Sequence, residues 1–332
     1  MRLSPKIVLS SNLILAPMSG ITSLPYRRLM RKFGCELAFT EMINCRSLAY
    51  RSKSTADMLA SSGDDRPLGV QVMAEDENYL LKGLERLSAY DFDLVDFNAA
   101  CPRKKVTSKG RGASLLREPK KLAAMLKVLV DNSRLPVTLK MRLGWDNSVK
   151  ACDIALSAQD AGVSAVCLHG RTRRQCYSGQ VDYAAIAAVK KVLKVPLIAS
   201  GDIFSPELAK KMFDETGCDA VMLARGALGN PWIFSQIKEY LKTGEILTVP
   251  APDDVAAVMR DHFAMSLDFY GSRAGVRQFR KFFIWYTKGF SHARPLRMKV
   301  SMVNTAEDML DMIENFRAVC FKPRKGQGAW QN

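Results

Sequence analysis

Short apolar runs alternate with longer amphipathic stretches along most of the chain. The runs are Leu13–Ala16, Glu36–Met42, Leu68–Met73, Leu94–Asn98, Val137–Arg142, Ala165–His169, Pro196–Ala199 and Ala220–Leu223. They are apolar on both faces, as strands buried beneath helices must be. The intervening segments carry helical spacing: Leu80, Leu84 and Leu87; Leu122, Leu126 and Leu129 behind Pro119; and Ala151, Ile154, Ala155 and Ala158. Ser205-Pro206-Glu207 predicts a helix start, with a cap, a first-turn proline and an acid near the positive helix end. Eight β/α repeats over roughly 230 residues match the size of a (β/α)8 TIM barrel. A doubly wound sheet is the competing fold, but no P-loop and no G-x-G-x-x-G follows a strand.

The rhythm stops after Trp232-Ile233-Phe234. Only helical patterning follows: Val255, Val258, Met259 and Phe263; Phe279, Phe282, Phe283 and Tyr286; Met309, Met312, Ile313 and Phe316. The expected organisation is therefore a barrel over 1–242, a linker over 243–252 around Pro250-Ala251-Pro252, a small helical domain over 253–321 and a basic tail over 322–332.

Of the 332 residues, 49 are Lys or Arg and 33 are Asp or Glu, a formal charge of +16. Such an excess suits either a polyanionic partner or a generally basic, soluble surface. No apolar run reaches the ~18 residues needed to span a bilayer, and no metal-ligand spacing occurs among the histidines and the eight cysteines. Ser10, Ser11 and Asn12 interrupt the first apolar stretch, so it does not read as a signal peptide. Reduced thiols and a cytoplasmic protein are expected.

In a barrel of this kind the chemistry sits at the carboxyl ends of the strands. The polar residues there include Gln71, Asn98, Lys140, Arg142, His169 and Arg171, with Ser200-Gly201-Asp202 and Ala224-Arg225-Gly226 after the last two strands. Those last two turns suit a phosphate, through backbone N–H groups and Arg225, although their glycines would also serve tight turns alone. Lys140, inside an apolar strand, fits three roles: a Schiff-base lysine, a donor to an anionic flavin edge, or a structural ion pair. Cys101 follows a strand end, precedes Pro102 and opens a stretch dense in Lys and Arg whose acid is Glu118. A loop thiol in that setting is a candidate proton donor or nucleophile. Arg103, Lys104 and Lys105 would lower its pKa, and burial would raise it.

The chain is similar to the tRNA-dihydrouridine synthases, and within them to the bacterial B-type group. The matching text is APMSGITSLPYRRL at 16–29, TEM at 40–42, GVQVM at 69–73, DFNAACPRKKV at 96–106, GRGASLL at 110–116 and VTLKMRLGWD at 137–146. It continues with LHGRTRRQCYSG at 168–179, IASGD at 198–202, ARGALGNPWIF at 224–234 and RKFFIWYTKG at 280–289. Each motif is modest alone; their joint order over almost the whole chain is specific.

The resemblance implies an FMN-bound barrel that reduces the C5–C6 double bond of selected uridines in tRNA, with NADPH as reductant. Cys101 then matches the proton donor. Pro17, Met18 and Ser19 would line the flavin, and Gln71, Lys140 and His169 would contact its ring system. Ser200, Gly201, Asp202, Ala224 and Arg225 would hold its phosphate and ribityl end. Asn98 would meet the target base, with Arg142 and Arg171 also toward the substrate. The family often has Asn where Ser200 stands, and Gly where Ala100 and Ala224 stand; these departures touch affinity rather than chemistry. No metal and no obligate protein partner is implied.

A uracil must be splayed from the tRNA to reach such a site. The segment Tyr270–Ser301 carries Arg273, Arg277, Arg280, Lys281, Lys288, Arg294, Arg297 and Lys299 with no acid among them. Of these, Arg277, Arg280, Lys281 and Lys288 are the candidate tRNA contacts, while most of the interleaved aromatics are expected to pack the helical domain. The alternatives are a small-molecule FMN barrel oxidoreductase, a Schiff-base aldolase using Lys140 and a non-catalytic RNA-binding barrel.

Overall fold

A computed structural model describes residues 1–50 and 53–320. The expected basic tail at 322–332 lies outside the described residues. The chain divides into two compact units, the first Met1–Arg225 and the second beginning at Gly226.

The first unit opens on an antiparallel pair, β1 (Arg2–Ser4) and β2 (Ile7–Val8). Nine strands follow: β3 (Leu13–Leu15), β4 (Leu37–Phe39), β5 (Ile43–Asn44), β6 (Leu68–Met73), β7 (Leu94–Ala99), β8 (Val137–Arg142), β9 (Ala165–His169), β10 (Leu197–Ser200) and β11 (Ala220–Leu223). They pair in the order β4-β3-β11-β10-β9-β8-β7-β6, and a β4–β6 pairing closes the ring. All pairs in the ring are parallel. This is an eight-stranded TIM barrel, and every expected run supplies one of its strands. The short β5 adds to β6 outside the ring.

Parallel strands need crossovers, and these are helices whose apolar stripes face the sheet. Leu122, Leu126 and Leu129 are buried in the helix Pro119–Asn132. Ala151, Ile154, Ala155 and Ala158 are buried in Ala151–Asp160, where small side chains let helix and sheet approach. The helix Pro206–Thr216 starts as its sequence dictates: Ser205 Oγ accepts from the Leu208 N–H (3.3 Å), and left-handed Gly217 ends it.

Side chains of alternate strand residues fill the barrel. At the amino end Leu3, Ile7 and Leu9 pack with Ile14, Leu37, Leu94, Ala165, Ile198 and Ala220. The β1–β2 hairpin therefore plugs that end, a feature the hydrophobic pattern does not predict. The Glu36 carboxylate holds the hairpin's exit by accepting from the N–H groups of Ser10 (3.0 Å), Ser11 (2.7 Å) and Asn12 (3.2 Å).

The second unit is helical: Ile233–Thr243, Pro252–Tyr270, Ser272–Tyr286, Arg294–Lys299 and Ala306–Cys320. The expected stripes form its core, with Val255, Met259, Phe263, Phe279, Phe282, Phe283, Tyr286, Met309, Ile313 and Phe316 all buried. Gly244 ends the first helix in a left-handed conformation, and Asp254 accepts from the Ala251 N–H (2.9 Å) where the next begins. Among the described residues no helix is long and apolar enough to cross a membrane.

Candidate active site

Register builds a polar belt inside the barrel. Gln71 pairs with Asp96, Asp96 with Thr138, Asn98 with Lys140, Lys140 with Cys167, Arg142 with His169, and His169 with Ser200. Paired residues on neighbouring parallel strands share a face, so these side chains meet above the apolar amino half.

Asp96 anchors the belt. It is fully buried and accepts from Gln71 Nε2 (2.6 Å) and Thr138 Oγ1 (2.6 Å). Burial pushes its carboxyl up to about 6, against the pull of those two hydrogen bonds and of Lys140. Sequence reasoning assigned it no role. The available signal was an acid at an inward position of an otherwise uncharged strand, LVDFNA.

Burial also lowers the Lys140 ammonium from its ordinary value, although Cys167 and Asp96 pull it back up. Among the described residues none accepts a hydrogen bond from its amine. The His169 imidazole is held well below its usual value, first by burial and then by Arg142, Lys140, Arg171 and Arg225. It is therefore neutral at pH 7.

The belt reaches Cys101 through two amides. Asn98 Nδ2 donates to Gln71 Oε1 (2.8 Å) and to Met42 Sδ (3.0 Å), while Asn98 Oδ1 accepts from the N–H groups of Ala100 (3.0 Å) and Cys101 (2.9 Å). Asn98 thereby positions the thiol loop. The Cys101 carbonyl accepts from Ala113 N–H (3.0 Å). Cys101 is 7% exposed. Burial raises its pKa and outweighs the backbone N–H of Arg103 and the charges of Arg103 and Arg142, which resolves the opposing influences in the sequence in favour of the protonated form.

Arg142 is a buried strut. Its Nε donates to the Ala100 carbonyl (2.8 Å) and its Nη1 to the carbonyls of Thr172 (3.0 Å) and Cys176 (2.7 Å), joining the loops after β7 and β9. Arg171 donates to the carbonyls of Ser178 (3.1 Å) and Gly179 (2.5 Å) and pairs with Asp202, which Arg225 also holds (2.6 Å). Burial alone would raise the Asp202 carboxyl, but the two arginines hold it below its ordinary range. They also brace its left-handed backbone, φ +48°, beside Gly201 at φ +143°. Arg171 Nη1 is buried and meets no acceptor.

After β3, which pairs with β11, Met18 N–H donates to Thr22 Oγ1 (3.0 Å), and the Met18 carbonyl accepts from the N–H groups of Ile21 and Thr22 (both 3.0 Å). This fixes the turn holding Pro17 and Ser19. Ala224 is half-buried against the barrel core. Lys140, neutral His169 and the exposed Arg225 guanidinium together fit a ligand with an acceptor-rich planar head and an anionic tail. Among the described residues no group of three His, Cys, Asp or Glu could hold a metal ion.

In the second unit Arg273, Arg277, Lys288, Arg294 and Lys299 are exposed. Arg280 instead donates to the Val303 carbonyl (2.9 and 2.6 Å) and Asn304 Oδ1 (2.8 Å), and Lys281 to Gln278 Oε1 (2.7 Å). Phe282, Phe283 and Tyr286 are buried and Trp285 half-buried, so these aromatics serve packing.

The family model described as dihydrouridine synthase matches residues 14–321. The chain is 36% identical over 311 residues to tRNA-dihydrouridine synthase B of Pseudomonas aeruginosa, covering 93% of this chain and 94% of the relative. It is 37% identical over 312 residues to a probable tRNA-dihydrouridine synthase of Rickettsia conorii, with 93% and 94% covered. To tRNA-dihydrouridine synthase B of Vibrio cholerae it is 36% identical over 309 residues, with 93% and 96% covered. Among solved structures, histamine dehydrogenase from a Rhizobium species shares the fold at TM-score 0.55 and 12% identity, covering 80% of this chain and 50% of that one. A 2-naphthoyl-CoA reductase shares it at TM-score 0.55 and 9% identity, covering 69% and 50%.

Proposed function

The chain belongs to the dihydrouridine synthase family of tRNA-modifying oxidoreductases, and from that premise we propose that it binds FMN at the carboxyl end of the barrel, takes electrons from NADPH and reduces the C5–C6 double bond of uridines in tRNA. The donors at the mouth support the cofactor. Lys140 and Gln71 would face the polar edge of the isoalloxazine, with neutral His169 beside it. The backbone of Pro17, Met18 and Ser19 would line the ring system. Arg225, exposed beside the Ser200-Gly201-Asp202 turn and Ala224, would hold the phosphate end, with buried Arg171 bracing Asp202 behind it. Bound there, FMN supplies hydride chemistry at C6.

The residues of the chain do the rest. The negative charge developing across C5, C4 and O4 of the uracil is removed when Cys101 gives its proton to C5. A general acid must hold that proton at working pH, and the buried thiol does so. Asn98 places the loop, and Arg142 pins its Ala100 carbonyl. Fixed donors near the uracil O2 and O4 would contribute about 3–4 kcal/mol each to holding that charge. The exposed cations of the second unit, Arg277 and Lys288 among them, suit an RNA backbone, and a tRNA substrate implies work in the cytoplasm.

The observation that carries this reading is a buried, loop-held thiol beside a polar belt in which, among the described residues, the Lys140 amine meets no acceptor. Mass spectrometry of tRNA from a strain lacking the gene tests it. At least one uridine position should lose the mass of two hydrogens and regain it on complementation; tRNA identical to that of the parent strain rejects the reading.

A further inference from the structure

A hollow of about 840 Å³ opens in the first unit, lined by Asn44, Arg46, Tyr50, Glu75, Lys109 and Arg111. Asn44 ends β5, and Glu75 follows β6, so the hollow lies at the carboxyl side of the barrel. Three cations face one carboxylate there. Glu75 is already engaged by Arg111, through Nε (2.7 Å) and Nη2 (2.8 Å), and Arg111 is 7% exposed. Arg46 Nη1 stands 3.8 Å from the same carboxylate, and its guanidinium lies 5.0 Å over the Tyr79 ring. Lys109 is exposed. The wall thus keeps a surplus of positive charge in a fixed place.

An aromatic surface adjoins that charge. Tyr50 is 70% exposed, and its ring centroid is 6.4 Å from that of Tyr79. The hollow also shares its wall with the thiol loop. Gly112, next to Arg111, has φ +58°, and a Cβ there would come within 2.8 Å of the Cys101 carbonyl and 3.1 Å of its Cβ. Ala113 N–H donates to that same carbonyl. Whatever fills the hollow therefore touches the run of chain that fixes the proposed proton donor.

A uridine splayed into the barrel mouth leaves its neighbour unstacked, with a phosphodiester and a bare base plane beside the reacting site. Cations next to an exposed aromatic ring meet both needs, and every base presents a face for stacking, so the contact tolerates sequence. We propose that this hollow is a subsite for a nucleotide flanking the target uridine, with its phosphate against Arg46 and Lys109 and its base over Tyr50. The proposal rests on the tRNA-reduction reading. The same chemistry, a phosphate ester joined to a planar base, occurs in NADPH, and the test separates the two sources.

The test uses the holoenzyme in two half-reactions followed by flavin absorbance: bleaching by NADPH without RNA, then reoxidation by tRNA lacking dihydrouridine. Binding of that tRNA to the oxidised enzyme is measured separately by fluorescence anisotropy. For Tyr50→Ala we expect the tRNA concentration giving half-maximal reoxidation, and the dissociation constant, to rise about 10-fold, with Tyr50→Phe near wild type. Arg46→Ala with Lys109→Ala should weaken tRNA binding and flatten its salt dependence, with NADPH bleaching unchanged. Unchanged tRNA dependence in these variants overturns the subsite, and slowed bleaching by NADPH with normal tRNA affinity reassigns the hollow to the dinucleotide. A wild-type enzyme that tRNA does not reoxidise overturns the parent reading instead.

Discussion

Gln71 and Asp96 are locked face to face: Gln71 Nε2 donates to Asp96 Oδ2 across 2.6 Å from directly paired positions of β6 and β7. A carboxylate only accepts, so the pairing decides which way the Gln71 amide points. Gln71 Oε1 then receives Asn98 Nδ2, and Asn98 Oδ1 receives the Cys101 N–H. A buried acid in the middle of the barrel thereby sets the position of a thiol at its mouth. Asp96→Leu leaves the buried amide of Gln71 with an unmet donor, which costs about 1–3 kcal/mol. We expect it to lower single-turnover uridine reduction by about 10- to 100-fold, with Asp96→Asn milder. Rates equal to wild type in both variants would sever this chain of amides from the thiol.

The same acid makes a stability prediction. Its carboxyl sits at about 6 in the folded chain, against an ordinary ~3.9 when unfolded. The raised value means the folded state favours the protonated acid. Its contribution is complete below about pH 4 and is lost as pH rises through about 6. Asp96→Asn removes the titration, so between about pH 4 and about pH 7 the variant should gain on wild type by about 2 kcal/mol. Urea unfolding at the two pH values measures the change; a constant gap would mean that Asp96 titrates as an ordinary surface acid does.

Cys101 and Cys176 offer a contrast within one loop system. Cys101 is buried with a raised pKa, and Cys176 is exposed. Iodoacetamide at pH 8 should label Cys176 well before Cys101, read by peptide mass spectrometry. Cys101→Ala should retain FMN and lose most uridine reduction, about 10²- to 10⁴-fold. Undiminished single-turnover rates in Cys101→Ala would remove the thiol from the reaction.

Arg225 gives a ligand test that needs no turnover. Its exposed guanidinium is proposed to meet the flavin phosphate, and a hydrogen bond to a charged group contributes about 1.5–3 kcal/mol. Arg225→Lys should weaken FMN binding to the apoprotein by about 10- to 150-fold and leave riboflavin binding little changed. Equal losses for both flavins in a titration would show that the arginine braces the loop instead of meeting the phosphate.

The basic helix Ser272–Tyr286 separates into two kinds of cation. Arg277 is exposed, whereas Arg280 holds the Val303 carbonyl and Asn304. Arg277→Ala, and likewise Lys288→Ala, should reduce the slope of log affinity for tRNA against log salt by about 1 at unchanged melting temperature. Arg280→Ala should lower the melting temperature. Filter binding from 50 to 200 mM salt, with thermal unfolding alongside, reads both effects.

The barrel was legible because its strands are short apolar runs separated by amphipathic stretches, and buried parallel strands have no solvent side to confuse the pattern. The stripe Ala151, Ile154, Ala155 and Ala158 was equally plain, since helix-to-sheet packing dictates its spacing. The β1–β2 hairpin escaped because strands of three and two residues are shorter than any periodicity window. The stretch between Met42 and Leu68 escaped for the same reason, as β5 and the five-residue helix Cys45–Ala49 are too brief to repeat. Asp96 lay inside the motif DFNAACPRKKV without a role, because its importance is a matter of register: only the β6–β7 and β7–β8 pairings place it between Gln71 and Thr138. The direction of the Cys101 titration also required coordinates, since sequence displays neighbouring cations but not depth.

The plug formed by Leu3, Ile7 and Leu9 makes the cylinder a cul-de-sac. Traffic has one doorway. In a flavin-dependent uridine reductase, a nicotinamide and a nucleobase that both require the same flavin face must take turns on it. Each guest departs by the route it entered, so the enzyme has to store electrons between visits. Under the proposed reaction the two would alternate, and parallel double-reciprocal plots would be the kinetic signature.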